Sequence, residues 1–292
     1  MPDSFSSCKI SVAIIMSCFN RRDTTLKSLS SVYAQDEDCD IYLVDDGSSD
    51  NTSESVRSLY PNVNLLRGDG SLFWGGGMRV AFGEALETGY QFYLWLNDDT
   101  FLENDAITKL LNTYFQLFQK GYPNSIIVGS VQDPATGQLS YGGRLHTKRF
   151  IFKRFRSIQP SDEPQQCDTM QGNVVLIPHC VAETVGNLDP TFTHKFGDLD
   201  YGLRSQKLGC KVWIAPGFLG KCSRNTVVNT WADSNLNITE RFRKVLHQKE
   251  FPLKAWTVYA SRHKGFFWWI HWFFPYIKAI TGKRMEKHTN SN

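Results

Sequence analysis

No two of the seven cysteines (Cys8, Cys18, Cys39, Cys167, Cys180, Cys210 and Cys222) stand in a C-x-x-C pair, and their number is odd. Cysteines scattered in this way exclude a zinc ribbon and a disulfide framework, and they are expected of a chain kept in a reducing compartment. A large excess of positive or negative residues is also missing. The net charge of +3 is too small to imply nucleic acid, which is not expected as a partner. No apolar run reaches the ~20 residues that a membrane-spanning helix needs. The nearest, Gly265 to Ile280, is interrupted by His271, Pro275 and Lys278. The first residues hold no basic segment leading into a long apolar one, so a secretory signal is not expected and a cytoplasmic location is. Internal repeats and low-complexity tracts are missing too. What remains is an ordinary globular composition, 41% hydrophobic and 21% charged. At 292 residues it supports one large α/β domain with a small appendage.

The chain is organised around Phe92-Tyr93-Leu94-Trp95-Leu96-Asn97-Asp98-Asp99-Thr100. Five apolar or aromatic residues in a row, bounded by polar ones, fit a strand buried on both faces. That strand delivers two carboxylates to one edge of a sheet, and in open α/β sheets ligands bind outside the carboxyl ends of strands. Carboxylate oxygens are hard ligands, suited to Mg²⁺ or Mn²⁺ shared with substrate phosphates. The alternative is a helix cap, with Asp99 or Thr100 opening a helix through Asn104 to Ile107.

Read in order, the chain repeats this theme. Residues 1–8 are polar and expected to fray. Ile10 to Met16 is a β-branched run that ends at Ser17-Cys18-Phe19-Asn20, followed by a helix from Asp23. Asp40 to Val44 is a second strand that also ends in paired carboxylates, Asp45-Asp46, before Gly47-Ser48-Ser49-Asp50. Gly47 suits a tight turn, and Ser49 or Asp50 can cap the next helix. Asn62 to Leu66 is a third strand. Then comes Gly68 to Gly77, with five glycines in ten residues, a density that lets a ligand or another backbone approach closely. A helix is expected from Met78. Strands alternating with helices at this spacing predict a three-layer, mostly parallel α/β sheet. Ala106 to Gln119 reads as an amphipathic helix and residues 126–129 as a fifth strand. Residues 132–168 read as a long irregular insert carrying the basic cluster Lys148, Arg149, Lys153, Arg154 and Arg156. Such an insert is more often a binding loop than filler. Residues 172–178 and 211–216 read as further strands. Beyond about residue 225 no further βα unit follows, and the chain becomes helical, basic and rich in Trp and Phe.

Five segments, in this order, resemble glycosyltransferase family 2, the large GT-A-fold group of nucleotide-sugar-dependent transferases. They are Val12 to Asn20, Val44 to Asp50, Gly68 to Gly77, Leu96 to Thr100 and Phe196 to Arg204, and they cover roughly residues 9–225. Any one is weak; five in order are specific. The Gly-Asp-Gly-Ser-Leu-Phe-Trp-Gly-Gly-Gly segment and the tail from Ser261 to Tyr276 look most like the rhamnosyltransferase-like branch. The resemblance implies a GT-A fold whose Rossmann-like half, 1–225, is the catalytic domain, with 226–292 as a helical extension. It implies an inverting transfer from a nucleoside-diphosphate sugar to a hydroxyl on a glycan or lipid-linked acceptor, as in surface polysaccharide synthesis.

Carried over by position, Asp46 and Asp45 contact the nucleobase and ribose, where a carboxylate can accept from a pyrimidine N–H and from hydroxyls. Asn20 and Asp69 line the same donor site. For Asp45 and Asp69 plain turn chemistry stays open beside that role. Asn97-Asp98-Asp99 resembles the family's D-x-D signature, with Asn in the first place. Asp99 is expected on the divalent metal, and Asp98 on the metal or the donor. Asp198 aligns with the catalytic base, although Gly197 stands where the family usually has Glu. Asp200 and Arg204 read first as an i,i+4 pair worth only ~0.2–0.5 kcal/mol. Some relatives place a third metal ligand, often His, on a loop after the core. Gly220 to Asn225 has no His, so Lys221 or Arg224 could neutralise the diphosphate instead. His194 and His263 are the histidines most suggestively placed.

Phe266 to Tyr276 has nine aromatic or aliphatic residues in eleven, flanked by Arg262, His263 and Lys264 and by Lys278, Lys283, Arg284 and Lys287. Two readings stay open. The run packs on the core or in a homodimer interface, or it attaches the protein to the cytoplasmic face of an anionic membrane. A nucleotidyltransferase is disfavoured because Ser17 to Asn20 stands where a Gly-rich phosphate loop would follow the first strand. A nucleotide-sugar-binding scaffold on a degenerate transferase fold is the non-enzymatic alternative.

Overall fold

The computed structural model describes residues 10–147, 155–233 and 235–281. Lys148, Arg149, Lys153 and Arg154 of the basic cluster, Lys283, Arg284 and Lys287 of the tail, Cys8 and the first eight residues lie outside them. The other six cysteines are free thiols.

The first hundred residues alternate strand and helix: β1 (Val12–Cys18), α1 (Arg22–Tyr33), β2 (Cys39–Asp45), α2 (Thr52–Leu59), β3 (Asn64–Arg67), α3 (Phe73–Thr88) and β4 (Phe92–Leu96). These four strands are all parallel, in the order β3-β2-β1-β4. Every residue of β1 and β4 is buried because both sheet faces are covered. Val12, Ile14 and Met16 pack on one side with Leu29 of α1 and Val56 of α2. Ala13 and Ile15 pack on the other with Met78, Ala81 and Phe82 of α3. The helix expected from Met78 begins five residues earlier, so Gly75, Gly76 and Gly77 are helical and buried. At α2 the cap position is Asn51, whose side chain makes no capping bond, but the neighbouring Asp50 carboxylate accepts from the Thr52 N–H at 3.2 Å, as expected of it.

Next come β5 (Phe101–Leu102), α4 (Ala106–Gln119) and β6 (Ser125–Gln132). The region read as an irregular insert holds short strands: β7 (Leu139–Tyr141), β8 (Gly143–His146), β9 (Phe155–Ser157) and β10 (Gln165–Cys167), followed by β11 (Thr169–Met170). Segments of two to four residues are too short to display a period, so polarity and glycine masked them. β12 (Val174–Pro178), α5 (His179–Val185), α6 (Gly197–Lys207) and β13 (Lys211–Lys221) complete the sheet. β13 runs five residues past Pro216, through Gly217 at φ +68° and a shift in register with β6. The long sheet has the order β10-β13-β6-β12-β4-β1-β2-β3, mostly parallel, and β11-β8-β9 form a second, small sheet. β12 is antiparallel to β4, with Val174 opposite Leu96. Its first residues therefore enter at the edge where β1, β2 and β4 end.

The chain then forms α7 (Ile238–Val245), α8 (Leu253–His263) and α9 (Trp268–Thr281). A capping box starts α7: Asn237 accepts from the Glu240 N–H at 2.9 Å and the Glu240 side chain accepts from the Asn237 N–H at 3.0 Å. Trp256, Tyr259, Tyr276 and Ala279 share one apolar cluster with Phe192, Phe196 and Leu203. Asp200 ties the two parts together. Fully buried on α6, it accepts from Arg204 Nε at 2.8 Å, Arg262 Nη1 at 2.7 Å and His263 Nε2 at 2.8 Å. The i,i+4 pair expected from sequence is present, and two α8 residues join it. His263 is thereby a structural partner of Asp200. Among the described residues, no helix is long and apolar enough to cross a membrane.

Candidate active site at the carboxyl edge of the sheet

The loops leaving β1 and β2 are bonded to each other. Asn20, at φ +50°, donates its N–H to Ser48 Oγ at 2.8 Å, and its Oδ1 accepts from the Ser49 N–H at 2.8 Å. Asp45 turns inward: one carboxylate oxygen accepts from the Ser48 N–H at 2.9 Å, the other from the Ser53 hydroxyl. That is turn chemistry. Asp46 is buried as well, and its carboxylate gathers the start of the glycine-rich segment. It accepts from the N–H groups of Gly70 at 2.9 Å, Leu72 at 3.3 Å and Phe73 at 2.9 Å. Gly47 lies against Gly70, where a Cβ would stand 3.0 Å from a backbone nitrogen, and its φ of +76° also favours glycine. Asp69 is exposed and accepts from the N–H and hydroxyl of Ser71 in its own loop, at 2.9 and 2.6 Å.

Beyond β4, Asp98 and Asp99 converge on one point. Arg21 Nη1 stands 3.2 Å from Asp98 Oδ1 and 2.8 Å from Asp99 Oδ2. Burial pushes the Asp98 carboxyl up to about 7, against the pull of Arg21. Neither aspartate caps a helix; α4 begins after Asp105. Cys222, on the loop after the core, donates its thiol to Asp99 Oδ1 at 3.5 Å, and burial pushes that thiol up to about 12. Lys221 pairs with Glu103 at 3.1 Å and Arg224 donates to the Leu139 carbonyl at 2.9 Å. Of Arg21, Lys221 and Arg224, it is Arg21 that faces the pair.

The path from this pair to Asp198 runs over an indole. Asn97 Oδ1 accepts from Trp74 Nε1 at 2.8 Å. The ring of Trp74 passes so close to Gly172 that a Cβ there would lie 2.6 Å from it and 3.4 Å from Asp198 Cβ. Asp198, in the first turn of α6, accepts from the Gly172 N–H at 3.1 Å and the Leu199 N–H at 2.7 Å. Burial raises its carboxyl above the ordinary range, and these bonds and the nearby Arg144 charge only partly offset this. Phe196, which leads into α6, and Phe73, which leads the glycine-rich helix, sit at φ +78° and +54°. Bulky residues in the left-handed region cost roughly 1–3 kcal/mol and cluster at functional sites. His194 packs edge-on against Phe73, and burial lowers it to about 4, so it is neutral near pH 7.

The edge thus gathers Asn20, Asp45, Asp46, Asp98, Asp99 and Asp198, while Asp69 keeps to its own turn. Sequence reasoning missed Arg21, Trp74 and Cys222. The signal for the first was its place right after Asn20 at the exit of β1. A cavity of about 420 Å³ lined by Ile10, Val12, Cys39 and Asn62 lies at the opposite, amino edge of the sheet.

A family model described as "Glycosyl transferase family 2" matches residues 13–173, more than half of the chain. This chain belongs to glycosyl transferase family 2. Poly-beta-1,6-N-acetyl-D-glucosamine synthases are similar to it. The one from Staphylococcus aureus (strain MSSA476) is 25% identical over 150 residues, 51% of this chain and 32% of that protein. The one from Staphylococcus epidermidis is 24% identical over the same shares. The match thus spans about a third of the length of these curated relatives. Among solved structures, Staphylococcus aureus TarS 1-349 aligns with a TM-score of 0.53 at 12% identity, over 93% of this chain and 81% of that one. GalNAc-T7 with UDP, GalNAc and Mn²⁺ aligns with a TM-score of 0.55 at 13% identity, over 74% of this chain and 43% of that one. Both support the GT-A architecture of this family 2 member.

The metal expected of the family can be tested against the donors. Among the described residues, no group of three or more His, Cys, Asp or Glu side chains could hold a metal ion. Two hard carboxylates do converge on one point, however, and Mg²⁺ is usually held by one or two carboxylates together with water and substrate phosphates. Asp98 and Asp99 therefore fit a cation shared with a diphosphate.

Proposed function

We propose that this family 2 member is an inverting glycosyltransferase that uses a nucleoside-diphosphate sugar. The observation that carries the reading is the continuous path Asp98/Asp99–Asn97–Trp74–Gly172–Asp198 along one sheet edge. A cation at Asp98 and Asp99 would neutralise the departing diphosphate. Asp198 accepts the proton of an acceptor hydroxyl. The hydroxyl oxygen bonds to the anomeric carbon as the bond from that carbon to the diphosphate oxygen breaks, and a single displacement inverts the configuration. Asp46 acts for the donor by shaping the Gly70–Phe73 loop, and Asn20 and Asp45 by fixing the β1 and β2 exits. We take 1–225 as the catalytic unit and 226–292 as an extension, of which α7, α8 and α9 pack on that unit through the cluster of Phe192, Phe196 and Leu203. The glycine-rich segment and tail favour a rhamnosyl donor, and the synthase relatives favour a glycan acceptor.

The test is a panel including dTDP-rhamnose and UDP-N-acetylglucosamine, with binding and transfer measured for wild type and Asp198→Asn. Donor binding should survive the substitution while transfer falls by roughly 10²–10⁴-fold. Transfer within a few-fold of wild type would remove Asp198 as the base. A wild type that binds no nucleoside diphosphate would favour the scaffold reading.

The extension also supports a lipid-facing role. On α9, Trp269, Phe273, Ile277 and Ile280 are each about half exposed, and Phe266 just before it is 88% exposed. Lys254 and Lys278 lie on the same helical unit, and Lys283, Arg284 and Lys287 follow in sequence. An apolar stripe with cations near it in the sequence is what an anionic lipid surface would bind. We assign this face to peripheral contact with such a surface, where a lipid-linked acceptor would reside.

A further inference from the structure

The place where Asp98 and Asp99 converge already has a cation facing it, and that cation belongs to the chain. A single nitrogen of Arg21 contacts both carboxylates, at 3.2 and 2.8 Å. Only 10% of the Asp98 side chain and 27% of the Asp99 side chain are exposed. Two adjacent, largely buried carboxylates repel each other and need a countercharge. Arg21 supplies it. A divalent ion held by the same two oxygens at ~2.0–2.1 Å would need the space that Nη1 takes. The two cations are therefore alternatives.

The residue is built to exchange. Its backbone is fixed at the entrance to α1, where the Arg21 carbonyl accepts from the Thr25 N–H at 2.9 Å, and Asn20 before it is bonded to Ser48 and Ser49. Its side chain is 46% exposed, so it can turn away from the pair without disturbing the core. Once displaced, a guanidinium at this edge has an obvious new partner. A nucleoside diphosphate presents several phosphate oxygens, and the planar fork of Arg matches them bidentately. The charges agree with this order: two carboxylates, one guanidinium and a divalent ion leave a net positive site, which attracts the anionic diphosphate.

We propose that Arg21 is an exchangeable internal cation. It holds Asp98 and Asp99 in the free protein, gives them up to a divalent metal, and moves onto the diphosphate of the donor. The proposal rests on reading the aspartate pair as the cation site and adds a role for Arg21 in donor binding.

Binding measurements on full-length protein test it without turnover. Mn²⁺ binding is followed by electron paramagnetic resonance, and UDP and dTDP binding by calorimetry at saturating Mn²⁺. Arg21→Gln removes the competitor, so Mn²⁺ should bind roughly 3- to 10-fold tighter in the absence of nucleotide. The same variant loses the guanidinium, so the nucleoside diphosphate should bind about 10-fold or more weaker at saturating Mn²⁺. Arg21→Lys keeps the charge without the fork; it should bind Mn²⁺ like wild type and still lose diphosphate affinity. A merely structural role would move both affinities of Arg21→Gln in the same direction, and that result overturns the exchange. So does Mn²⁺ affinity that is unchanged or lowered in Arg21→Gln. If neither wild type nor Arg21→Gln binds Mn²⁺, the cation-site reading itself fails and the exchange with it.

Discussion

At the scale of single residues, the carboxylates at this edge differ by what surrounds them. Asp45 and Asp46 are neighbours in sequence, yet one closes a turn on Ser48 and Ser53 and the other holds three N–H groups of a separate loop. Their position at a strand end was legible from the apolar run before them. Their partners were not, because Asp46 reaches 24 to 27 residues along the chain. Asp198 shows how environment sets chemistry. Burial raises its carboxyl, while N–H bonds from Leu199 and Gly172 and the Arg144 charge oppose the rise. A general base works when ionised, so raising its pKa moves the acid limb of the rate profile to higher pH. The pH profile of kcat/KM should therefore fall, on the acid side, above the ordinary Asp value of ~3.9. Removing the Arg144 charge with Arg144→Gln should push that limb higher still. An acid limb that stays at the ordinary value, or does not respond to Arg144→Gln, would argue against Asp198 as the titrating base.

At the scale of elements, α3 holds the clearest difference between expectation and structure. Glycines in a row suggested a loop that would let a ligand or backbone come close. A backbone and a side chain do come close, but to a helix. A Cβ on Gly75 would meet the Phe192 carbonyl oxygen at 2.1 Å, and one on Gly77 would meet Ser17 Oγ at 2.1 Å. Gly75 and Gly76 also donate to the Thr193 carbonyl, at 2.6 and 3.2 Å, so the first turn of α3 is bonded to the segment that leads into α6. Gly75→Ala should destabilise the protein by about 1–3 kcal/mol or more, since a backbone atom cannot step aside cheaply. Gly83→Ala, on the same helix, meets only the Asn187 side-chain amide at 3.3 Å. It should be near neutral, because Ala offsets mild crowding with ~0.5–1 kcal/mol of helix preference. Urea unfolding of the two variants checks this, and equal losses would sink the close-packing account.

At the scale of the whole molecule, the aromatic tail serves two surfaces at once. Trp272 donates to Thr257 Oγ1 at 2.7 Å and Tyr276 to the Phe251 carbonyl at 3.0 Å, so one side of α9 is core. Truncation near residue 260 would remove that core and the Arg262 and His263 that hold Asp200, so it cannot isolate the outer side. Substitution can. Full-length protein should float with anionic vesicles and not with neutral ones, and Trp269→Ser combined with Phe273→Ser and Ile277→Ser should abolish flotation while leaving thermal unfolding nearly unchanged. Wild type that never floats but elutes as a dimer, with the triple variant monomeric, would make this face a subunit interface.

The sequence by itself determined the alternation of strands and helices, the strand ends that carry Asp45-Asp46 and Asp98-Asp99, and the family. These features are written within windows of about ten residues, where burial on two faces demands continuous apolar runs and the chain must turn polar at the edge. Only the tertiary structure decided the antiparallel entry of β12 that brings Gly172 to Asp198, the close packing of Gly75 on Phe192, and the arginine that faces the aspartate pair. Arg21 meets Asp98 across 77 residues. No local pattern specifies such a meeting, because it depends on which strands become neighbours and where their loops emerge.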